Sequence, residues 1–381
     1  MTHQEKITLT LALIDPKKYE KSRNYVDGAV TELGPYISRG VIDTRFIWEY
    51  LLKKGYDFDG MFGLVQQLAW RDFFQRIWQQ RGEGINQDIR GAQLGVIHGD
   101  IPAAIAAGIS GIQGIDQGIQ RLITTGRMHN HVRMYTAFLS CNFSGAHWRS
   151  SAQWMYSNLL DGDWGSNALS WQWVAGTFSN KKYIANQDNI NRYTSTEQRD
   201  TYLDCSYEEL ATAPVPEVLK AKVVFELKTP LPAMTYLAND KKTPISPAPL
   251  QLEPDQPLLI YNYYNLSPQW RISQRANRVL LLEPSHFEKY PVAQHCVDFM
   301  MSLAKEIPGL RVYVGEFDVL AGLVGDTQII YREHPLNQHY YGTVDERTWL
   351  VPNLEGDFSS FFSFWKKAEK SLRREFNNCG K

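Results

Sequence analysis

The chain has 381 residues, 43% of them apolar, which is enough for two cores. Its formal charge of −1 provides no global basic field, so any DNA contact must come from a local patch. Its four cysteines, Cys141, Cys205, Cys296 and Cys379, form no CxxC pair. This argues against a zinc or iron–sulfur framework and a disulfide scaffold, and fits a reducing compartment. The apolar run 9–14 is too short to span a bilayer and lacks the flanks of a signal peptide, so the expectation is a soluble cytoplasmic protein with no membrane partner.

From 19 to 180 apolar residues recur at three- and four-residue spacing, through FIWEYLLKKGY, FGLVQQLAWRDFFQRIW, GIDQGIQRLITTGRMHNHVRMYTAFL and SAQWMYSNLL. The spacing predicts helices with no strand between them. Nine of the 18 prolines fall from Pro214 to Pro257, around TPISPAP, where missing amide donors and fixed φ disfavour both helix and central strand. Beyond them lie the short apolar runs PLLIYNYY, RVLLLEP, LRVYVGEF and TQIIYREH, with helical stretches VAQHCVDFMMSLAKEI and FFSFWKKAEKSL. Strands alternating with helices predict a mostly parallel sheet. The expected organisation is an all-α domain over 1–210, a proline-rich linker over 211–257 and a smaller Rossmann-like α/β domain over 258–381. The chain carries no GxGxxG or P-loop, so a nucleotide site in the α/β domain has no motif behind it.

Three stretches carry candidate chemistry. In LVQQLAWRDFF, Gln67, Trp70, Arg71 and Phe74 share one helix face. This stripe fits first a core tryptophan with a snorkelling arginine, and after it an anion grip beside a ring that stacks on a planar group. In MHNHVRMY, His129 and His131 would point about 200° apart on a helix and could not close on one metal ion. Asn130, Arg133 and Met134 do share a face, and their amide, cationic fork and thioether suit a pocket wall. The stretch DGDWGSNALSWQWVAGT at 161–177 fails as a calcium loop, since Ser166 and Gln172 stand where glycine and glutamate are required. Its acids, Asp161 and Asp163, leave open a catalytic carboxylate pair, a metal-dependent hydrolase built with the histidines, or a buried carboxylate paired with a cation, for which Arg133 is the candidate.

Taken in order, MHNHVRMY, Trp148 in HWR and LLDGDWGSNALSWQW resemble the FAD-binding helical domain of the photolyase and cryptochrome family. Upstream, YEKSR, VTELGPYISRG and QLAWRDFF resemble further blocks of that domain in the same order, so the resemblance covers roughly 19–180. It implies FAD as cofactor, with Tyr19, Arg23, Thr31 and Leu33 at its phosphates and backbone and Arg71 holding it from the next helix. Asn130, Arg133, Asp161 and Asp163 would line the folded cofactor, with Arg133 and Asp161 as an ion pair beside its ring system and Asn167 next to flavin N5. Trp171 and Trp148 match the proximal and middle tryptophans of the family's electron-transfer chain. The third, surface tryptophan has no counterpart at 82–111, which leaves Trp154, Tyr156 or Trp78 as terminal donor. Gln67, Trp70, Met134 and Trp173 match positions that contact a pyrimidine lesion flipped out of DNA.

The chain departs from the family pattern in four places. Gln67 stands where cyclobutane-dimer photolyases carry Glu, Val30 and Gly34 remove hydroxyls from the phosphate block, and FSNKKYIANQDNINRYTS replaces the usual rim. The antenna-like α/β fold follows the FAD domain instead of preceding it, as if permuted to the C-terminus. The implied function is a photolyase-like FAD flavoprotein acting on damaged DNA. Its alternative is a cryptochrome-like blue-light photoreceptor that signals to a protein partner without repair.

Overall fold

The computed structural model describes residues 1–179, 181–232, 236–237, 250 and 252–379. Its chain divides into two units, one of Met1–Pro16, Thr31–Gln79 and Lys228–Lys381, the other of Lys17–Val30 and Gln80–Leu227. This differs from the 1–210, 211–257 and 258–381 division, because the helix Thr44–Lys53 and most of Phe58–Arg81 group with the C-terminal sheet. The C-terminal helix Phe361–Cys379 accounts for the difference. Phe62 meets Trp365 edge-on at 5.5 Å, Phe58 meets Phe376 at 5.8 Å, and Arg45 Nη1 donates to Glu375 at 2.8 Å. Composition marks where a chain changes texture, whereas these ring contacts decide which helices share a core.

In the first unit the strands Leu258–Tyr261, Asn277–Leu282, Leu310–Val314, Ile329–Arg332 and Thr343–Asp345 form a parallel sheet, and Tyr236–Leu237 adds an antiparallel edge beside Leu310–Val314. Numbered along the chain, the parallel strands lie in the order third, second, first, fourth, fifth, a doubly wound Rossmann-like arrangement. All four residues of Leu258–Tyr261 are buried, as a central parallel strand covered on both faces requires. The four apolar runs all form strands. Thr343–Asp345 gave no sequence signal because it is a three-residue edge strand, largely exposed. The segment TPISPAP lies outside the described residues.

The second unit holds the helices Gln113–Thr125, Asn130–Ala137, Trp148–Asn158, Trp164–Ala175 and Gln187–Thr194. The expected unbroken helical run from 113 onward ends at Gly126, whose φ of 70° is the left-handed turn that glycine adopts at least cost. The expectation of helices without any strand is also corrected, since Ile101–Pro102 pairs antiparallel with Lys222–Val223 from the proline-rich segment. Among the described residues no helix is long and apolar enough to cross a membrane.

Asp72 anchors the first unit's long helix. Its buried carboxylate accepts the Leu350 N–H at 2.6 Å and the Thr44 hydroxyl at 2.8 Å, and burial raises its pKa above the usual carboxylate value. Asp72→Ala strands both donors and is expected to lower the unfolding free energy by about 1–3 kcal/mol. Urea titration is the check, and an unchanged midpoint would refute this role.

Candidate functional site

Each unit carries part of the set that the sequence singles out. In the first, Gln67, Trp70, Arg71 and Phe74 are all half-buried on one face of Phe58–Arg81, as their spacing requires. Trp70 lies flat against Phe361, with centroids 3.6 Å apart and planes 9° from parallel, so one of its faces is covered by the chain itself. Arg71 donates to the Ser38 hydroxyl, Leu33 is buried and Thr31 half-buried.

The remaining residues lie in the second unit. Arg23 follows the helix Pro16–Ser22 and sets its guanidinium 6.0 Å from the Tyr19 ring, and burial raises the Tyr19 phenol's pKa. His129 does not share a helix with His131, contrary to the expectation from the sequence. It caps Asn130–Ala137, with Nδ1 accepting the His131 N–H at 3.2 Å. His131 packs between Tyr135 and Tyr193, with centroids 5.0 and 4.6 Å away, and burial pulls its pKa down to about 4. Among the described residues no group of three or more His, Cys, Asp or Glu is placed to hold a metal ion.

The two acids of the DGD stretch take different partners. Arg133 donates from Nη2 to both oxygens of Asp161, at 2.9 and 3.0 Å, and its Nε donates to the Met128 carbonyl at 3.0 Å. Both side chains of the pair remain partly exposed, at 24% and 21%. Asp163 is buried and accepts the Ser166 N–H at 2.7 Å, capping Trp164–Ala175. Asn167, one turn into that helix, donates Nδ2–H to the Ala152 carbonyl at 2.8 Å, which orients its Oδ1, an acceptor, away from Ala152. The neighbouring Ser166 Oγ is buried without a hydrogen-bond partner among the described residues. A guanidinium–carboxylate pair, an oriented amide and a buried hydroxyl offer the mixed donors and acceptors that a polar, flat heterocycle requires. Asn130 is exposed, Met134 half-buried, and Trp173 is 39% exposed with its ring 6.0 Å from Tyr183.

Trp171, Trp148 and Trp164 are all buried. Trp148 and Trp164 stand 6.4 Å apart by centroid, and Tyr156 meets Trp164 edge-on at 5.6 Å. Trp154, Tyr156 and Trp78, the three alternatives for the terminal donor, are all buried. The sequence blocks also miss the segment that holds the indoles. Trp164 donates Nε1–H to Asn86 Oδ1 at 2.9 Å, Trp148 donates Nε1–H to Asp88 Oδ1 at 2.7 Å, and the Trp148 amide donates to Gln93 Oε1 at 2.9 Å. Buried Gln172 completes the arrangement by donating to the Ile85 carbonyl at 3.0 Å and accepting the Ile89 N–H at 3.1 Å. Asp88 and Gln93 lie in 82–111, which carries none of the blocks, so no motif points to them.

Residues 64–227 match the FAD-binding domain of DNA photolyase. The chain is 31% identical over 163 residues to the deoxyribodipyrimidine photo-lyase of Streptomyces griseus, covering 42% of this chain and 35% of that one. It is 29% identical over 173 residues to the cryptochrome DASH of a Synechocystis species, covering 42% and 34%. The match thus spans about a third of each relative's own length. A crystal structure of a Synechocystis cryptochrome aligns at 23% identity with a TM-score of 0.44, covering 57% of this chain and 48% of that one.

The Asn167–Ala152 bond ties Trp164–Ala175 to Trp148–Asn158. Asn167→Ala is expected to lower stability by about 1 kcal/mol. A thermal melt of the flavin-free protein reads this, and a melting point equal to wild type would remove the tie from the account.

Proposed function

We propose that this chain, which carries the FAD-binding domain of the photolyase and cryptochrome family, is a light-driven flavoprotein that delivers an electron to a pyrimidine lesion in DNA. The observation behind the reading is the Arg133–Asp161 pair, formed across 28 residues between the two blocks that the family pattern joins. Bound FAD supplies light absorption and one-electron chemistry, and the protein supplies orientation and fixed charge.

In this reading Arg133 and Asp161 hold opposite charges beside the ring system, Asn130 and Asp163 line it, and Asn167 offers Oδ1 to a ring N–H. Tyr19, Arg23, Thr31, Leu33 and Arg71 hold the phosphates and backbone. Trp171 and Trp148 supply electrons, and their burial keeps them from solvent. Gln67, Trp70, Met134 and Trp173 receive the flipped lesion, with the half-open Trp173 as a stacking face.

A blue-light photoreceptor with a protein partner is the second reading. Two observations favour it. Phe361 already covers one face of Trp70, and Gln67 has no acid proton to give a reduced lesion.

The purified protein is expected to bind FAD one to one, and blue light with a thiol reductant is expected to reverse pyrimidine dimers in an oligonucleotide. Trp171→Phe is expected to slow photoreduction of the bound flavin tenfold or more, about 1.4 kcal/mol of barrier. A protein that takes up no FAD overturns both readings. Photoreduction with the lesion left intact overturns repair and leaves the photoreceptor.

A further inference from the structure

The chain has no tryptophan at 82–111 to end an electron-transfer chain at the surface, and Trp154, Tyr156 and Trp78 are buried. The stretch contributes a carboxylate instead. Asp88 Oδ1 accepts the Trp148 indole N–H at 2.7 Å, and its Oδ2 accepts the Gln93 amide at 2.8 Å. We propose that Asp88 is the proton acceptor that ends the electron-supply chain at Trp148, so that the oxidised indole is held as a neutral radical and no exposed third tryptophan is needed. This rests on the flavin reading above.

Three further observations support the assignment. His147 Nδ1 accepts the Arg149 amide at 3.3 Å, which places the ring proton of the neutral imidazole on Nε2, 3.3 Å from Asp88 Oδ1. Asp88 is thus surrounded by N–H groups, with those of Trp148 and His147 at Oδ1 and that of Gln93 at Oδ2. The buried neighbour Trp164, 6.4 Å from Trp148, gives its indole N–H to the neutral amide oxygen of Asn86, a far weaker base. An electron vacancy shared between the two rings therefore settles on Trp148, where it can lose a proton as well as an electron. Finally, the Asp88 side chain is 20% exposed, so water can carry the proton away from an otherwise buried pair.

The balance is simple. One electron leaves the Trp148 ring through Trp171 for the photoexcited flavin, which is the oxidant. The Nε1–H bond breaks heterolytically, its proton bonds to Asp88 Oδ1, and the indole remains as a neutral radical. A thiolate in solution then returns one electron, becoming a thiyl radical, and a proton from Asp88 or water restores Nε1–H. An indole that has lost an electron is a much stronger acid than the closed-shell ring, which is why a carboxylate suffices as base. Proton loss removes the charge that would drive the electron back.

Flash photolysis of the FAD-loaded protein tests this, since the deprotonated tryptophan radical absorbs at shorter wavelength than the protonated one. Asp88→Asn keeps an oxygen acceptor for the indole but cannot take its proton. It is expected to slow neutral-radical formation on the order of 10²-fold, the usual contribution of a placed base, with Asp88→Glu restoring most of it. The wild-type step should slow in heavy water and the Asn variant's radical should stay cationic. A readout without flavin is the Trp148 Nε1–H proton resonance, assigned with Trp148→Phe. It is expected downfield in wild type and shifted upfield in Asp88→Asn. Equal neutral-radical rates in wild type and Asp88→Asn, with FAD bound in both, overturn the proposal and leave the flavin reading intact. Failure to bind FAD overturns that reading instead, while an Nε1–H resonance unmoved by Asp88→Asn overturns the hydrogen bond on which the proposal stands.

Discussion

Burying an indole N–H without an acceptor is costly, and the acceptors found for Trp148 and Trp164 organise part of the second unit. Trp148, Trp164 and Trp171 are buried on helices that also bury Gln172, and each unpaired polar group there would cost a few kcal/mol. Part of the solution is the short helical turn Gly82–Asn86 together with the non-helical stretch that follows it. Asn86 and Asp88 receive two indole protons, Gln93 receives a backbone proton, and the backbone at Ile85 and Ile89 exchanges hydrogen bonds with Gln172. A run of residues without periodicity is thereby fixed in place by the helices it serves. The same requirement that stabilises the packing leaves a carboxylate against an oxidisable ring.

The sequence shows most clearly what depends on local spacing. The stripe from Gln67 to Phe74, the common face of Asn130, Arg133 and Met134, and the four apolar strands follow from periods of 3.6 and 2, and each is present. The Arg133–Asp161 pair was legible for another reason, since a half-buried acid needs a cation and the block order offered one. What could not be read has long-range causes. Nothing local shows that Phe58–Arg81 joins the C-terminal sheet's unit, because the ring contacts that join them lie some 300 residues away in sequence. Asp88 was invisible for the same reason, its partner Trp148 lying 60 residues on.

Histidines show how a single break in periodicity changes the chemistry. Read as part of a continuous helix, His129 and His131 diverge. With Gly126 ending the preceding helix, His129 becomes a cap and its Nδ1 is engaged by a backbone amide. His147 repeats the device before Trp148–Asn158. In both cases the cap fixes the tautomer, so the opposite ring nitrogen is a donor when the imidazole is neutral. At His147 that edge faces Asp88, and a helix start becomes part of an electrostatic site.

Of the residues proposed for lesion contact, Met134 and Trp173 share the second unit with those proposed for electron supply, and Gln67 and Trp70 do not. Trp148, Trp171 and Asp88 belong to the second unit, whereas Gln67 and Trp70 sit on a helix of the first, where Trp70 stacks on Phe361 from the C-terminal helix. A stacked pair at 3.6 Å must open before a base can use the covered face, at a cost of about 0.5–1.5 kcal/mol beyond the area exposed. Trp148 is held instead by hydrogen bonds from its indole N–H to Asp88 and from its amide to Gln93. Under the proposed function, opening the Trp70–Phe361 stack bears on lesion contact alone, since Trp148, Trp171 and Asp88 lie in the other unit.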